Sequence, residues 1–226
     1  MLSSIPIYIY ILFLFSVFYV LGSFFRAIHN RKVMSIIIGW GCIQSMIGLS
    51  GFYEYEKSIP PRFVWVIFPV ILIIILVLFS KKLRDWMVRL DLKKLMWIHI
   101  VRIPVEIVLF GLYTADYIPK LMTFEGQNFD IFAGITALFI IFVGFQNGKM
   151  RIKLLWIWHI FSFILLMNIV VLALLSAPTP FQQLALDQPN IAILYFPFLL
   201  LPGIIVPIVL IANLTGFVIL TKVSQE

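Results

Sequence analysis

Apolar positions in this chain do not alternate with polar ones; they run on. Seven stretches approach the roughly 20 consecutive apolar residues that a helix needs to cross a bilayer at 1.5 Å per residue. They are Ile5–Ala27, Val33–Phe52, Phe63–Ser80, Leu95–Tyr113, Ile131–Asn147, Leu154–Ser176 and Tyr195–Leu220. Strands of a membrane barrel would show period two, whereas segments such as Val70–Phe79 are continuously apolar, so helices are predicted. The first stretch has no basic segment before it and is longer than the roughly 7–15 residues of a signal-peptide core, so it is read as a retained helix. No hydrophilic stretch is long enough for a separate domain. Residues 1–226 are expected to form a single polytopic membrane domain.

Between the third and fourth stretches, Leu83, Trp86, Met87 and Leu90 recur at helical spacing among Lys and Arg, which predicts a short helix lying on the membrane surface. Basic residues alternate sides along the chain. Arg26, Arg31 and Lys32 follow the first span. Lys81, Lys82, Arg84, Arg89, Lys93 and Lys94 follow the third, Lys149, Arg151 and Lys153 the fifth, and Lys222 the seventh. The other side has only Lys57, Arg62 and Lys120. The positive-inside rule then places the N-terminus outside and the C-terminus in the cytoplasm. The acids agree: Glu54, Glu56, Asp116, Glu125, Asp130 and Asp187 fall outside, against Asp85, Asp91 and Glu226 inside.

Composition confirms the solvent. Of 226 residues, 62% are hydrophobic and 12% charged, about half the charge of a soluble domain, which is too little to coat a water-facing surface. The mean hydropathy is +1.08. The net charge of +7 would suggest nucleic acid in a soluble protein; its placement instead makes it an anchor on anionic lipid, so the bilayer is the expected partner and nucleic acid is excluded. The single cysteine, Cys42, can form neither an internal disulfide nor a CxxC pair.

Polar residues inside the spans carry the candidate chemistry. Charge near the bilayer centre costs about 2.5–3.5 kcal/mol on insertion scales, so it should face a cavity or a partner. In the fourth span, His99, Arg102, Glu106, Phe110 and Tyr113 share one helical face. Glu106 lies about 16 Å past Leu95 by the rise per residue, at mid-membrane. Arg102 and Glu106 are i, i+4 neighbours, which predicts an ion pair along the helix, with Pro104 freeing the carbonyl of Ile100 between them. The sixth span contributes His159, Ser162 and Asn168, and His159 should sit at the depth of His99. Lys93–Ile100 and Lys153–Ile160 align without gaps at Lys, Leu, His and Ile, a hint of duplication. Paired histidines raise a bis-histidine b-type haem as the cofactor option; a zinc site on His99, His159 and Glu106 would need Glu106 to reach about 10 Å along its helix. Three prolines and a glycine over Phe196–Pro207 predict a kinked or broken seventh helix. In the 122–130 connection, Glu125, Asn128 and Asp130 offer oxygen ligands at no EF-hand spacing, and the segment reads as a solvated outer loop.

A retinal protein would need a lysine within the last span, where only the terminal Lys222 is near. Membrane hydrolases of the ceramidase and adiponectin-receptor kind need more His and Asp ligands than three histidines allow. No Walker, GxSxG or HExxH motif is present. The strings Arg102-Ile103-Pro104-Val105-Glu106, Met122-Thr123-Phe124-Glu125-Gly126 and Ser176-Ala177-Pro178-Thr179-Pro180-Phe181 resemble those of uncharacterised bacterial seven-helix integral membrane proteins over the fourth to seventh spans. That resemblance implies a bacterial inner membrane and carries no activity. The expected class is therefore an all-α membrane protein, a seven-helix bundle. The expected site for a small ligand or proton is His99, Arg102, Glu106, Tyr113, His159 and Ser162. An intramembrane enzyme acting on a lipid-borne substrate, or a structural or sensory subunit, are the alternatives.

Overall fold

The computed structural model describes residues 5–55, 58–146 and 149–225. Glu56, Lys57, Asn147 and Glu226, which entered the charge count or closed a predicted span, lie outside the described residues. The chain is mostly helical. Its helices are α1 (Ile7–Ile28), α2 (Arg31–Leu49), α3 (Val64–Phe79), α4 (Lys81–Met87), α5 (Leu92–Met96), α6 (Arg102–Thr114), α7 (Asp130–Val143), α8 (Ile152–Ser176) and α9 (Val206–Val223). A 3-10 turn over Trp97–Val101 joins α5 to α6 into one continuous rod, and a two-residue antiparallel pairing of Phe145–Gln146 with Lys149–Met150 joins α7 to α8.

Short polar side chains punctuate the helices where the sequence changes face. His29, at φ 48, closes α1 with its N–H on the Phe25 carbonyl, and the Asn30 side chain then accepts from the N–H groups of Lys32 and Val33 to start α2. Ser80 caps α4 and Asp91 caps α5 in the same way. The axis turns by 93° between α3 and α4, so α4 leaves the bundle direction as an amphipathic surface helix should. Met87 is buried, Leu83, Trp86 and Leu90 are half-buried, and Lys81, Lys82, Asp85 and Arg89 are exposed.

Among the described residues, five helices are long and apolar enough to cross a membrane, or six if the bent pair α3 and α4 counts as one span: Ile7–Ile28, Arg31–Leu49, Leu92–Thr114, Ile152–Ser176 and Leu201–Val223 are the five. The third and fifth predicted spans form shorter helices, of 16 residues in α3 and 14 in α7. The reason for the short α7 is a buried start. Instead of beginning at the bundle's edge, α7 begins where Asp130 meets Arg102, halfway along the Leu92–Thr114 rod. The seventh predicted span is broken as its prolines require: Phe196–Leu199 form turns, Pro202 lies inside a wide π turn over Leu201–Ile205, and Pro207 opens α9. Each proline lacks the N–H that an α-helix would use there.

The two rods Leu92–Thr114 and Leu201–Val223 form the centre, 67% and 72% buried, while α2 lies outermost at 17%. Glycines let backbones approach at the crossings. A Cβ on Gly134 of α7 would stand 2.8 Å from the Ile103 side chain, and one on Gly216 of α9 would stand 2.3 Å from the His159 ring. The basic segments gather at one end of the bundle: the Tyr19 hydroxyl donates to the Trp97 carbonyl at 2.9 Å, and Trp156 Nε1 donates to Ser224 Oγ at 3.4 Å.

At the opposite end the connection from Thr114 to Asp130 does not stay outside. Asn128 Nδ2 donates to Glu106, and Asn168 Nδ2 donates to the Gln127 carbonyl at 2.8 Å. Glu106 precedes the end of α6, and Asn168 the end of α8, by eight residues each, or about 12 Å of helix. Two rulers thus agree that the connection descends about 12 Å into the bundle before α7 starts. Met122, Thr123 and Asn128 are fully buried there. Irregular backbone at that depth is stable only when protein surrounds it.

Gly126 shows how closely the descending segment is folded on itself. A Cβ there would stand 2.2 Å from the Lys120 carbonyl oxygen, so Gly126→Ala is expected to cost about 1–3 kcal/mol. Gly22, with nothing within 4 Å of its Cβ position, should accept alanine with no loss and a gain of up to about 1 kcal/mol from helix propensity. Unfolding midpoints of the two variants in mild detergent check this; equal midpoints would contradict the packed descent.

Candidate functional site

The rod Leu92–Thr114 positions three polar side chains inside the bundle. His99 sits on its 3-10 turn, Arg102 on the first turn of α6, and Glu106 one turn further, all 3% exposed or less. Pro104 falls in that first turn of α6, where its missing N–H costs little.

Arg102 does not pair with Glu106. Its NH1 donates to Asp130 Oδ1 at 2.7 Å and to the Ser162 carbonyl at 3.1 Å. Glu106 accepts through Oε1 from Asn128 Nδ2. The i, i+4 neighbours are separated because the descending connection offers each of them a better partner from across the bundle. Asn128 holds three points together: its Nδ2 also donates to the Met122 carbonyl at 3.0 Å, and its Oδ1 accepts from the Asp130 N–H at 3.1 Å. The carbonyl of Ile100 freed by Pro104 is not where the guanidinium goes; the Ser162 carbonyl on α8 receives it.

From Ser162 the contacts continue to the histidines. Asn213 of α9 donates through Nδ2 to Ser162 Oγ at 3.4 Å, and its Oδ1 lies 3.3 Å from His159 Nδ1. With the amide so oriented, His159 carries its hydrogen on Nδ1 and leaves Nε2 as an acceptor. The rings of His99 and His159 stand 6.2 Å apart, so the two histidines meet at one depth as their positions predict. A polar chain thus runs from Glu106 through Asn128, Asp130, Arg102, Ser162 and Asn213 to His159, drawing on four helices.

Several of its atoms have no hydrogen-bond partner: Glu106 Oε2, Arg102 Nε and NH2, both ring nitrogens of His99, and His159 Nε2. Buried polar groups are normally satisfied, so these atoms are the ones in the bundle that call for an explanation. Tyr113 stands apart, about 10 Å along the helix from Glu106, half-buried at the far end, where its carbonyl accepts from Gln188 Nε2 at 3.4 Å. Asn168 likewise joins the descending connection rather than the histidines.

Asn128, Asp130 and Asn213 belong to the site and were not among the residues expected there. Asp130, counted among the outer acids, is 8% exposed at its side chain and serves Arg102. Asn128-x-Asp130 directly before an apolar run is the pattern of a helix start, the one local signal that could have drawn notice to it.

The histidines do not fit a porphyrin. The Trp158 ring lies 4.9 Å from His99 and 5.1 Å from His159, and the backbone at Gly216 lies against the His159 face, so there is no flat slot between the imidazoles. Among the described residues, no three His, Cys, Asp or Glu side chains gather as a metal would require, and His99, His159 and Glu106 are not brought together as ligands.

Fold and site define an all-α chain, with several helices long and apolar enough to span a membrane and a buried, hydrogen-bonded polar chain across its central helices. The chain belongs to the family described as domain of unknown function DUF8737, whose model matches residues 60–221, from just before α3 to near the end of α9. No curated protein and no solved structure matches it.

The Arg102–Asp130 pair yields a stability test. Removing one partner strands a buried charge, so Arg102→Met or Asp130→Leu should each cost about 3–5 kcal/mol. The double replacement Arg102→Met, Asp130→Leu should cost less than either single change, because no charge is left alone. Thermal unfolding in detergent measures all three, and strictly additive losses would exclude a coupled pair.

Proposed function

We propose that this chain is an integral membrane protein that binds or translocates a proton, or a small ligand coupled to one, at the face formed by His99, Arg102, Glu106, His159 and Ser162, completed by Asn128, Asp130 and Asn213. Tyr113 lies on the route from that face to the far end. One observation carries the reading: two buried carboxyls share one guanidinium. Arg102 is spent on Asp130, and Glu106 has an amide on one oxygen and no partner on the other. One proton brings the set to neutrality, and an interior of low polarity makes that difference matter. The charged groups that act on Glu106 are Arg102 on its own rod and Asp130 on α7. Two cavities, of about 770 and 70 Å³, are lined by none of these residues.

In this reading the seven apolar segments act as seven spans, with α3 and α7 completed by the turns that flank them. The basic end faces the cytoplasm of a bacterial inner membrane, and the N-terminus lies outside. The broken start of α9, about two turns before Asn213, supplies the element able to move.

Reconstituted full-length protein in vesicles carrying a pH-sensitive dye should dissipate an imposed pH gradient faster than protein-free vesicles. Glu106→Gln should slow that rate at least about tenfold, the scale of losing a proton-transfer group. Wild-type protein no faster than empty vesicles would end the translocation reading. A Glu106→Gln variant as fast as wild type would remove Glu106 from it.

A further inference from the structure

A second feature lies outside the polar chain. Between α2, α3, α4 and α9 runs a cleft of about 770 Å³, walled by apolar side chains such as Ile36, Trp40, Leu72, Ile204 and Ile208. Ile36 is 71% exposed and Phe68, also in the lining, 47%, so the cleft opens sideways on the bundle surface, where lipid would be.

Its two ends differ. One end is lined by Asn30, Ser80 and Lys82. The Asn30 amide oxygen and the Ser80 hydroxyl oxygen already accept from the first turns of α2 and α4, so what this end offers a ligand is donors: an amide N–H₂, an O–H and an ammonium. The flanking sequence 26–33 and 80–84 holds Arg26, Arg31, Lys32, Lys81, Lys82 and Arg84 and no acid. From Phe68 to Ser80 the wall follows α3 for 12 residues, or about 18 Å. One leaflet of hydrocarbon is about 15 Å deep.

An apolar trough one leaflet long, open to the side and ending in hydrogen-bond donors and positive charge, matches one occupant. We propose that this cleft binds an anionic phospholipid, with an acyl chain along α3 and the phosphate at Lys82, Asn30 and Ser80. The complementarity is of charge at one end and of length along the wall, and it is independent of the polar chain. Because α2 lies before residue 60, the lipid would pack α2 onto the part of the chain that the family model covers.

The test uses full-length protein in mild detergent, offered equal amounts of dioleoyl phosphatidylglycerol and dioleoyl phosphatidylcholine, with retained lipid counted by native mass spectrometry. The expected result is about one phosphatidylglycerol per chain, preferred at least about fivefold over phosphatidylcholine, the factor one basic residue confers near a charged headgroup. Lys82→Glu should abolish the preference. Ile36→Trp, which fills the trough and leaves the basic end intact, should lower retention of both lipids. Lys82 and Ile36 are both exposed, so neither variant should unfold the chain, and circular dichroism verifies it. Equal retention of the two lipids, a preference that survives Lys82→Glu, or retention unchanged in Ile36→Trp would each overturn the proposal.

Discussion

A guanidinium without a water shell has to be met by oxygen, and much of this bundle's irregularity follows from meeting Arg102. The partner, Asp130, comes from a different helix and sits 28 residues away. To bring it there the chain leaves α6, folds through a 3-10 turn and descends until Asp130 can start α7 beside the rod. The short α7, the burial of Asn128 and the close packing at Gly126 are consequences of that one contact. Lipid would not tolerate the descending backbone, and the descent is possible because α6 and α8 flank it.

Much of this was legible in the sequence. The all-helical class, the common depth of His99 and His159 and a break in the seventh span follow from periodicity and proline chemistry, while the short helix read over Lys81–Lys94 forms only over Lys81–Met87. Those signals are local or additive, and a single chain carries them in full. Arg102's partner was not legible, because the i, i+4 rule sees only neighbours on one helix, and Glu106 is the nearest acid by that rule. Asp130 reads as a solvated outer acid among Glu125, Gln127 and Asn128, and only tertiary structure turns it inward. The length of α7 was missed for the same reason: an apolar run shows what can be buried, not where the helix around it begins.

Helix α9 shows how one element serves two demands. Its first turns are loosened by prolines and widened into a π turn, while its middle is closely packed, with the His159 ring against Gly216 and the Asn213 amide between His159 and Ser162. Rigidity at the polar chain and slack above it thus occur within about three turns of one helix.

Asn128 gives the arrangement a mechanical meaning. One planar amide grips the Glu106 carboxyl with its nitrogen and the first N–H of α7 with its oxygen. A single side chain therefore ties the middle of the bundle to the first turn of a 14-residue helix whose far end leads into the basic connection to α8.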